Sequence, residues 1–454
     1  MSAQALSYPI EPGARVVALV QPHLRALDGI RFVAAFLVLA GHGYWYVVCQ
    51  QTGREQLDPV SHVIVGLPGL GMTLFFVLSG FVIHYNYHSS VGLGRTGNFD
   101  FFVARFSRLY PLFLAVFAVE FSRLLWLQGD ANGAPHNDFD LFGPLPFFLS
   151  FTQTWLFIPY DGKPLYEHYG LIGSHVQATG AMWSLSTEAL LYLLYPFISG
   201  WLSRRRGRSL ATVAATVAAG VALYYAGGAC STWPLQIWGA RLYGSVELGQ
   251  KFTDWLLSYS PIGRFGEFLL GAAAAQFHLA PRTRGIFARR PELATAAVTV
   301  AVLAWNTAGR GVLGPLAGVG GSLSAGAVAC FILLATLHRT RISRVLGSQL
   351  LVKGGEASYS LYLLHFYTMH EWAATNAAEL EIPERVIVCV IGIAMSVMLA
   401  RGSYLWFERP AQRWLRGNFA RLRLHVVISQ AFIVTTLFCI VTALHIHAVG
   451  RIAG

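Results

Sequence analysis

The sequence predicts an all-α polytopic membrane protein, and two observations carry this prediction. Of the 454 residues, 55% are hydrophobic and only 12% are charged, whereas about 25% of an ordinary soluble protein is charged. Long apolar runs recur to the end of the chain, and they lack the alternation over about ten residues that is typical of a membrane β-barrel. So few charges cannot cover a soluble globule of this size. The composition therefore excludes a soluble multidomain protein and a disordered chain.

Eleven apolar stretches are predicted to cross the membrane, because most approach the length of about 20 residues that a hydrocarbon core of about 30 Å requires. They are residues 31–49, 64–85, 109–127, 184–202, 209–226, 263–280, 292–309, 320–337, 357–375, 386–404 and 425–447. The first ten form the predicted core, and the last is an additional C-terminal helix. The stretch 142–158 is short and contains Pro144 and Pro146, so we expect a re-entrant or outer-surface segment there.

The basic residues predict which side of the membrane each loop faces. The formal net charge is +11, from 33 Lys and Arg against 22 Asp and Glu, and the basic residues gather in alternate loops. This pattern indicates loops beside an anionic cytoplasmic leaflet rather than a nucleic-acid site. The Arg204–Arg208 cluster would face outward if 142–158 crossed, so the positive-inside rule indicates that this stretch does not cross. With eleven spans, we then predict the N-terminus inside and the C-terminus outside. Residues 1–23 are then the cytoplasmic tail of a multi-pass protein of the cell inner membrane.

The first span carries ionisable residues that a bilayer disfavours. Arg31 and His42 are eleven residues apart, which is three helical turns plus about 20°, so both are predicted on one helix face. Asp28 precedes Arg31 by three residues and can pair with it. Ionisable residues inside a span are functional candidates by default. His42 can act as a general base or a nucleophile, and the alternative is a packed, hydrogen-bonded core histidine.

Three further polar segments lie near the ends of spans. Arg105 and Arg108 share a helix face and can hold two phosphate oxygens, and the alternative is a pair of anchors on the cytoplasmic side. Glu188 is predicted about one turn inside the outer end of its span. There it can orient a histidine, accept a hydroxyl proton, or simply occupy a wet helix end. Residues 358–365, Ser-Tyr-Ser-Leu-Tyr-Leu-Leu-His, form the last polar patch.

Taken in order, these segments resemble acyltransferase family 3, a family of integral-membrane acyltransferases. That family opens with Arg-x-x-Asp-x-x-Arg before a histidine and continues with five further short motifs. The matching residues are Arg25, Asp28, Arg31 and His42, then Phe75, Phe76, Ser79, Gly80 and Phe81, then Arg105, Arg108, Tyr110 and Pro111, then Trp183 to Glu188, then Ser358 to His365, and finally Glu408 and Pro410. Their order and spacing agree over about residues 24–414, which makes the set specific.

The resemblance implies a membrane acyltransferase domain of ten core helices over residues 24–414. Residues 415–454 would add an inner loop and the extra C-terminal transmembrane helix, without the soluble esterase-like domain that some relatives carry. The implied reaction is transfer of an acyl group, commonly acetyl, from cytoplasmic acyl-CoA to a hydroxyl of a glycan or lipid-linked sugar. The outer segments 128–182 and 227–262 would form a vestibule for this acceptor. Membrane lipids are the other expected partner, and no metal or permanently bound cofactor is expected.

The resemblance also implies roles for individual residues. His42 and Glu188 are the expected catalytic residues, and His42 either deprotonates the acceptor hydroxyl or carries the acyl group briefly. Arg31, Arg105 and Arg108 are expected to bind acyl-CoA through its 3′-phosphate or pyrophosphate. The residues expected to support them are Asp28, Ser79, Tyr359 and His365.

Other functions compete with this interpretation. The acceptor can instead be a small secreted metabolite, such as an antibiotic sugar. A proton-coupled secondary transporter would use the intramembrane histidine and arginine to couple protons, although the sequence lacks the internal repeat that many transporters show. A membrane scaffold without chemistry would not need Arg31 and His42 aligned in one span.

Overall fold

The computed structural model describes residues 23–49, 59–91, 95–130, 143–160, 163–166, 181–204, 236–280, 285, 288–313 and 324–419. Within these ranges the chain is almost entirely helical, as the composition predicts. The exception is a pair of two-residue strands, β1 (Pro159–Tyr160) and β2 (Lys163–Pro164), which run antiparallel with Pro159 opposite Pro164.

The first half of the chain supplies the two longest of the described helices. Its helices are α1 (Arg25–Tyr44), α2 (Pro59–Tyr87), α3 (Arg95–Asp130), the short α4 (Leu145–Leu149) and α5 (Trp183–Arg204), of which α2 and α3 are the longest. A π-helical turn, Trp45–Cys49, extends α1. Pro68, Pro111 and Pro196 lie inside α2, α3 and α5, which neighbouring helices tolerate in membrane bundles because they satisfy the freed backbone groups.

The second half forms shorter helices. They are α6 (Val246–Asp254), α7 (Pro261–Leu279), α8 (Pro291–Leu313), α9 (Ala325–Leu337), α10 (Arg341–Leu346), α11 (Gln349–Glu356), α12 (Ser358–Phe366), α13 (Ile382–Ser403) and α14 (Arg409–Asn418). π-helical segments follow α6 (Trp255–Tyr259), follow α12 (Tyr367–Ala374) and join α13 to α14 (Tyr404–Glu408). The segment after α12 ends in a last helical turn, Thr375–Ala377.

Four of the described helical stretches are long and apolar enough to cross a membrane. They are Arg25–Cys49, Val60–Tyr87, Gly97–Arg123 and Ile382–Asn418. The prediction of a helical chain with helices able to span a membrane is therefore confirmed, whereas the number of eleven spans stays a prediction. The predicted spans 209–226 and 425–447 lie outside the described residues. Of the described residues 143–158 in the stretch 142–158, only the five of α4 are helical, about 7.5 Å at 1.5 Å per residue, which is too short to cross a membrane.

The segment after α4 is fastened to the start of α5. Phe151 has φ 58°, a left-handed backbone conformation that is rare for a bulky residue and must be held by its surroundings. Ser186 on α5 donates a hydrogen bond to the Phe151 carbonyl (2.8 Å) and accepts one from the Thr154 hydroxyl (2.8 Å). The second serine of the Trp-Ser-Leu-Ser-x-Glu motif therefore holds this turn in place.

Glycines let two pairs of backbones approach closely. A Cβ on Gly80 of α2 would lie 1.9 Å from the Phe268 carbonyl oxygen of α7, and one on Gly271 would lie 1.8 Å from the Val77 oxygen. Small residues at helix–helix contacts are typical of membrane bundles because dispersion contacts replace the hydrophobic effect there. The same kind of contact joins α1 to α11, where a Cβ on Gly355 would lie 2.0 Å from the backbone carbonyl oxygen of Asp28. This contact fixes the start of α12 beside the arginine of α1.

Candidate functional site

A cavity that opens to the surroundings lies among α1, α2, α3, α5 and α12. Most of its polar lining consists of residues that the sequence analysis singled out, namely Arg31, Ser79, Arg108, Glu188 and Tyr359. They come from five different helices, so tertiary packing alone brings them together. Aromatic and aliphatic side chains of α2 complete the wall, including Phe75 and Phe76. Fixed charges in an apolar wall describe a binding site for a ligand that is partly anionic and partly apolar.

Arg31 is held by the ion pair that its spacing predicts. Its guanidinium donates a hydrogen bond to Asp28 Oδ1 at 3.1 Å, and the other oxygen of Asp28 lies 2.8 Å from His23 Nε2. The side chains of Arg31 and Asp28 are only 18% and 13% exposed, so solvent screens this pair weakly. Asp28 therefore orients Arg31 toward the cavity.

The two arginines of α3 occupy different environments. Arg105 donates a hydrogen bond to the Tyr87 hydroxyl (3.1 Å), and its guanidinium lies 5.1 Å from the centre of the Tyr87 ring and 6.0 Å from that of Tyr192. Arg108 lines the cavity, and none of the described residues accepts a hydrogen bond from it. The two arginines that face the cavity are therefore Arg31 and Arg108, with Arg105 packed behind Tyr87.

Glu188 accepts two hydroxyl hydrogen bonds in the cavity wall. The Ser79 hydroxyl donates to Glu188 Oε1 at 2.7 Å, and the Tyr192 hydroxyl donates to the same oxygen. Its contacts in the described part of the chain do not include His42 or His365. Within the described ranges, Glu188 therefore does not orient a histidine. Its carboxylate lies in the same cavity wall as Arg31 and Arg108.

His42 is paired with His365, which lies 323 residues further along the chain. The Nδ1 atom of His42 is 2.9 Å from the Nε2 atom of His365. The two ring planes differ by 11°, with centroids 5.2 Å apart. Phe366 and Tyr46 surround the pair, with ring centroids 5.3 and 6.2 Å from that of His42. His365 is 1% exposed, whereas His42 is half-buried, so His365 is the inner member of the pair and His42 the more accessible one.

Tyr362 connects the histidine pair to the cavity. Its ring lines the cavity and meets the Phe75 ring edge-on at 5.7 Å, while its carbonyl oxygen lies 2.7 Å from His365 Nδ1. Neither histidine is part of the cavity lining. Of Arg31 and His42, which the sequence predicts on one face of α1, only Arg31 therefore lines the cavity, and Tyr362 is the lining residue that contacts the partner of His42.

The glycines beside His42 serve helix packing. A Cβ on Gly41 would lie 2.2 Å from the Pro68 ring of α2, and one on Gly43 would lie 2.5 Å from the Met369 sulfur. Both positions are thus filled by neighbouring helices.

Several functional neighbours were missed by sequence reasoning. Tyr192 could have been found, because it lies four residues after Glu188 and so on the same helix face. Tyr87 is distant in sequence from Arg105 and carries no local signal. Tyr362 lies inside the Ser358–His365 motif, but no spacing rule predicts that its ring lines the cavity while its carbonyl oxygen contacts His365. Glu408 of the last motif is 3% exposed and accepts a hydrogen bond from Ser360 at 2.6 Å, which ties α12 to the junction of α13 and α14.

The residues of the cavity and of the histidine pair do not form a metal-binding group within the described part of the chain. In the described ranges, no group of three His, Cys, Asp or Glu side chains is placed to hold a metal ion. The chemistry available here is that of two neutral-ring bases, a carboxylate and guanidinium groups.

Comparison with known proteins places this geometry in context. The sequence model of an acyltransferase domain family matches residues 24–401. The acyltransferase MdmB of Streptomyces mycarofaciens is 25% identical over 386 residues, which cover 81% of this chain and 88% of that protein. Protein 2 in the picA locus of Rhizobium radiobacter is 32% identical over 134 residues, which cover 29% of this chain and 63% of that protein. No solved structure matches the chain.

Proposed function

Because this chain belongs to the acyltransferase family whose domain spans residues 24–401, we propose that it moves an acetyl group from cytoplasmic acetyl-CoA to a hydroxyl of a cell-surface glycan. The observation that supports this most directly is the cavity with Arg31 and Arg108 in its wall. The cell inner membrane is the proposed location, with the donor reaching the cavity from the cytoplasm.

The two arginines suit the phosphate groups of coenzyme A. Arg31 is paired with Asp28, whereas Arg108 donates no hydrogen bond to the described residues. A bound phosphate can form charge-assisted, bidentate hydrogen bonds with such planar guanidinium groups. The apolar part of the wall, formed by Met72, Phe75 and Phe76, suits the uncharged arm that carries the thioester.

The acyl transfer itself is assigned to His42. As a base, Nε2 of His42 takes the proton of the acceptor hydroxyl while the hydroxyl oxygen attacks the thioester carbon. The carbon–sulfur bond breaks, and the coenzyme A thiolate receives the proton. As a carrier, the histidine nitrogen attacks the thioester carbon first, and the carbon–sulfur bond breaks to release the coenzyme A thiolate. The hydroxyl oxygen then attacks the acyl-histidine, the carbon–nitrogen bond breaks, and the hydroxyl proton passes to the thiolate. In both routes the thioester must extend beyond the cavity lining, of which His42 is not a part, to reach the histidine.

The decisive experiment uses purified protein in lipid nanodiscs with labelled acetyl-CoA. We expect label to move to the glycan fraction of the host membrane, with one thiol released for each acetyl group transferred. Label on a small secreted metabolite would identify that class of acceptor instead. Proton flux in proteoliposomes without any thioester turnover would contradict the proposal and favour the transporter.

The proposed orientation has its own test. Reporters fused near Arg206, Arg289 and Lys353 are expected to lie in the cytoplasm, and reporters near Gly170 and Gly249 are expected outside, because the basic loops stay inside. A cytoplasmic signal at Gly170 would mean that 142–158 crosses the membrane and that this orientation is wrong.

A further inference from the structure

The protonation pattern of the histidine pair can be derived from one backbone atom. His365 Nδ1 lies 2.7 Å from the carbonyl oxygen of Tyr362. A carbonyl oxygen only accepts hydrogen bonds, so the hydrogen must be on His365 Nδ1.

The protonation state of His365 then determines which nitrogen of His42 carries its hydrogen. A neutral imidazole with its hydrogen on Nδ1 has a lone pair on Nε2. A doubly protonated His365 would be a buried cation, and among the described residues no carboxylate contacts its ring, which makes that state costly. His365 Nε2 is therefore an acceptor, and its partner 2.9 Å away, His42 Nδ1, must be the donor.

The ring geometry fits this hydrogen bond. The two imidazole planes are nearly parallel, at 11°, and their centroids are 5.2 Å apart. Rings that overlapped face to face would be closer, whereas two rings joined edge to edge through nitrogens 2.9 Å apart require about this centroid separation. The lone pair of His365 Nε2 lies in the plane of its ring and so points along the N–H bond of His42.

We propose that His365 is a positioning residue that fixes His42 with its hydrogen on Nδ1 and its lone pair on Nε2. This inference rests on the proposed function for its consequence in catalysis. It assigns Nε2 as the reacting nitrogen, whether His42 is the base or the acyl carrier. When Nε2 takes up a proton or an acyl group, the ring becomes positive, and its hydrogen bond to His365 becomes charge-assisted and stabilises that charge. The Tyr362 carbonyl, His365 and His42 thus form one oriented chain that ends at the reacting atom.

The first test needs no substrate. Nitrogen-15 NMR of histidine-labelled protein in nanodiscs distinguishes a protonated from an unprotonated Nδ1, and the His42→Gln spectrum assigns the signals of His42. We expect wild-type His42 to carry its hydrogen on Nδ1, and we expect His365→Phe to move it partly or wholly to Nε2. Wild-type protein with the hydrogen on Nε2 of His42 would overturn the proposal.

The second test separates positioning from packing. His365→Phe keeps a ring against Phe366 but removes the acceptor, so we expect the turnover rate to fall by about 10²–10⁴-fold while the KM for acetyl-CoA stays within a few-fold. His365→Gln restores an acceptor oxygen for His42 Nδ1 and should recover most of that loss. His278→Phe is the matched control, because His278 is bonded to Thr336 (3.1 Å) on another pair of helices, and it should keep wild-type turnover.

The outcomes remain distinguishable from failure of the proposed function. A His365→Phe protein with wild-type turnover, or a His365→Gln protein no better than His365→Phe, would contradict the positioning role. If His365→Phe does not fold, the wild-type NMR spectrum and the His365→Gln turnover still decide the question. A wild-type protein with the expected tautomer but without acyl transfer would reject the proposed function and leave the assignment of the histidine pair intact.

Discussion

The arginine-lined cavity and the histidine pair are neighbours that use their polar groups in opposite ways. In the cavity, Arg108 donates no hydrogen bond to the described part of the protein, and the buried Ser358 hydroxyl has no partner. In the pair, His365 uses both ring nitrogens and His42 uses one. A region with unused donors is completed by a ligand, whereas a region with satisfied groups is ordered before the ligand arrives. The comparison therefore supports the proposal that the cavity binds the donor and that the histidine pair carries the chemistry.

Tyr362 joins the two regions. Its hydroxyl accepts from Ser184 (2.9 Å) and donates to the Ala181 carbonyl (3.1 Å), so α12 is tied to the start of α5. The same residue gives its ring to the cavity and its carbonyl to His365. A ligand that displaces this ring would therefore act directly on the element that orders the histidines.

The largest expected effect comes from removing the histidine proposed to react. His42→Ala should lower the turnover rate by about 10²–10⁴-fold or more, because the neighbouring His365 already uses both ring nitrogens, one toward His42 and one toward the Tyr362 carbonyl, and does not replace the lost base. His42→Gln should be equally inactive, since an amide forms hydrogen bonds but does not take up a proton. Both variants should bind acetyl-CoA with wild-type affinity, measured by calorimetry in nanodiscs. Loss of donor affinity in both variants would show that His42 belongs to the donor-binding site and that the two regions are one site.

A smaller and complementary effect is expected from the cavity. Arg108→Ala should weaken acetyl-CoA binding by about 1.5–3 kcal/mol, or roughly 10- to 150-fold in Kd, because it removes a charge-assisted hydrogen bond. Arg108→Lys should rescue poorly, since an ammonium cannot make the planar bidentate contact. Arg105→Ala should cost less than Arg108→Ala, because Arg105 is bonded to Tyr87 and does not line the cavity.

The control for the arginines is Arg401→Ala. Arg401 pairs with Glu356 at 3.0 Å, where both side chains are about one-third exposed (33% and 40%), so its loss should change donor affinity little. Equal losses for Arg105, Arg108 and Arg401 would show that the donor responds to overall charge instead of to the cavity.

The smallest effect on donor affinity and turnover is expected from Gly80→Ala. This substitution should instead lower the stability of the helix bundle. The new Cβ would meet the Phe268 backbone at 1.9 Å, so α2 and α7 must separate, which should lower the free energy of unfolding by about 1–3 kcal/mol. Gly326→Ala is the matched control, because a Cβ there meets nothing within 4 Å and should be neutral or slightly stabilising. Thermal unfolding checks both, and donor affinity per folded molecule should be unchanged. A selective loss of donor affinity in Gly80→Ala would assign Gly80 to the cavity instead.

Local order is what the sequence determined by itself. Apolar runs of span length predicted helices that the structure contains at 64–85, 109–127 and 386–404, because a backbone in lipid must satisfy its own hydrogen bonds. The Asp28–Arg31 ion pair followed from a spacing of three residues, which any helix converts into contact. The order of the short motifs was enough to indicate the acyltransferase family.

Contacts between distant helices were decided only by the tertiary structure. Helical spacing gave Arg105 and Arg108 one face, but the way α3 rotates against α2 and α5 decided that Arg108 lines the cavity and Arg105 contacts Tyr87. His42 and His365 carry no sequence signal of their pairing, because the pairing depends on how α1 and α12 pack and on side-chain rotamers fixed by that packing. A period of 3.6 residues determines which residues share a helix face, whereas the neighbour that this face meets is determined by the packing of the entire bundle.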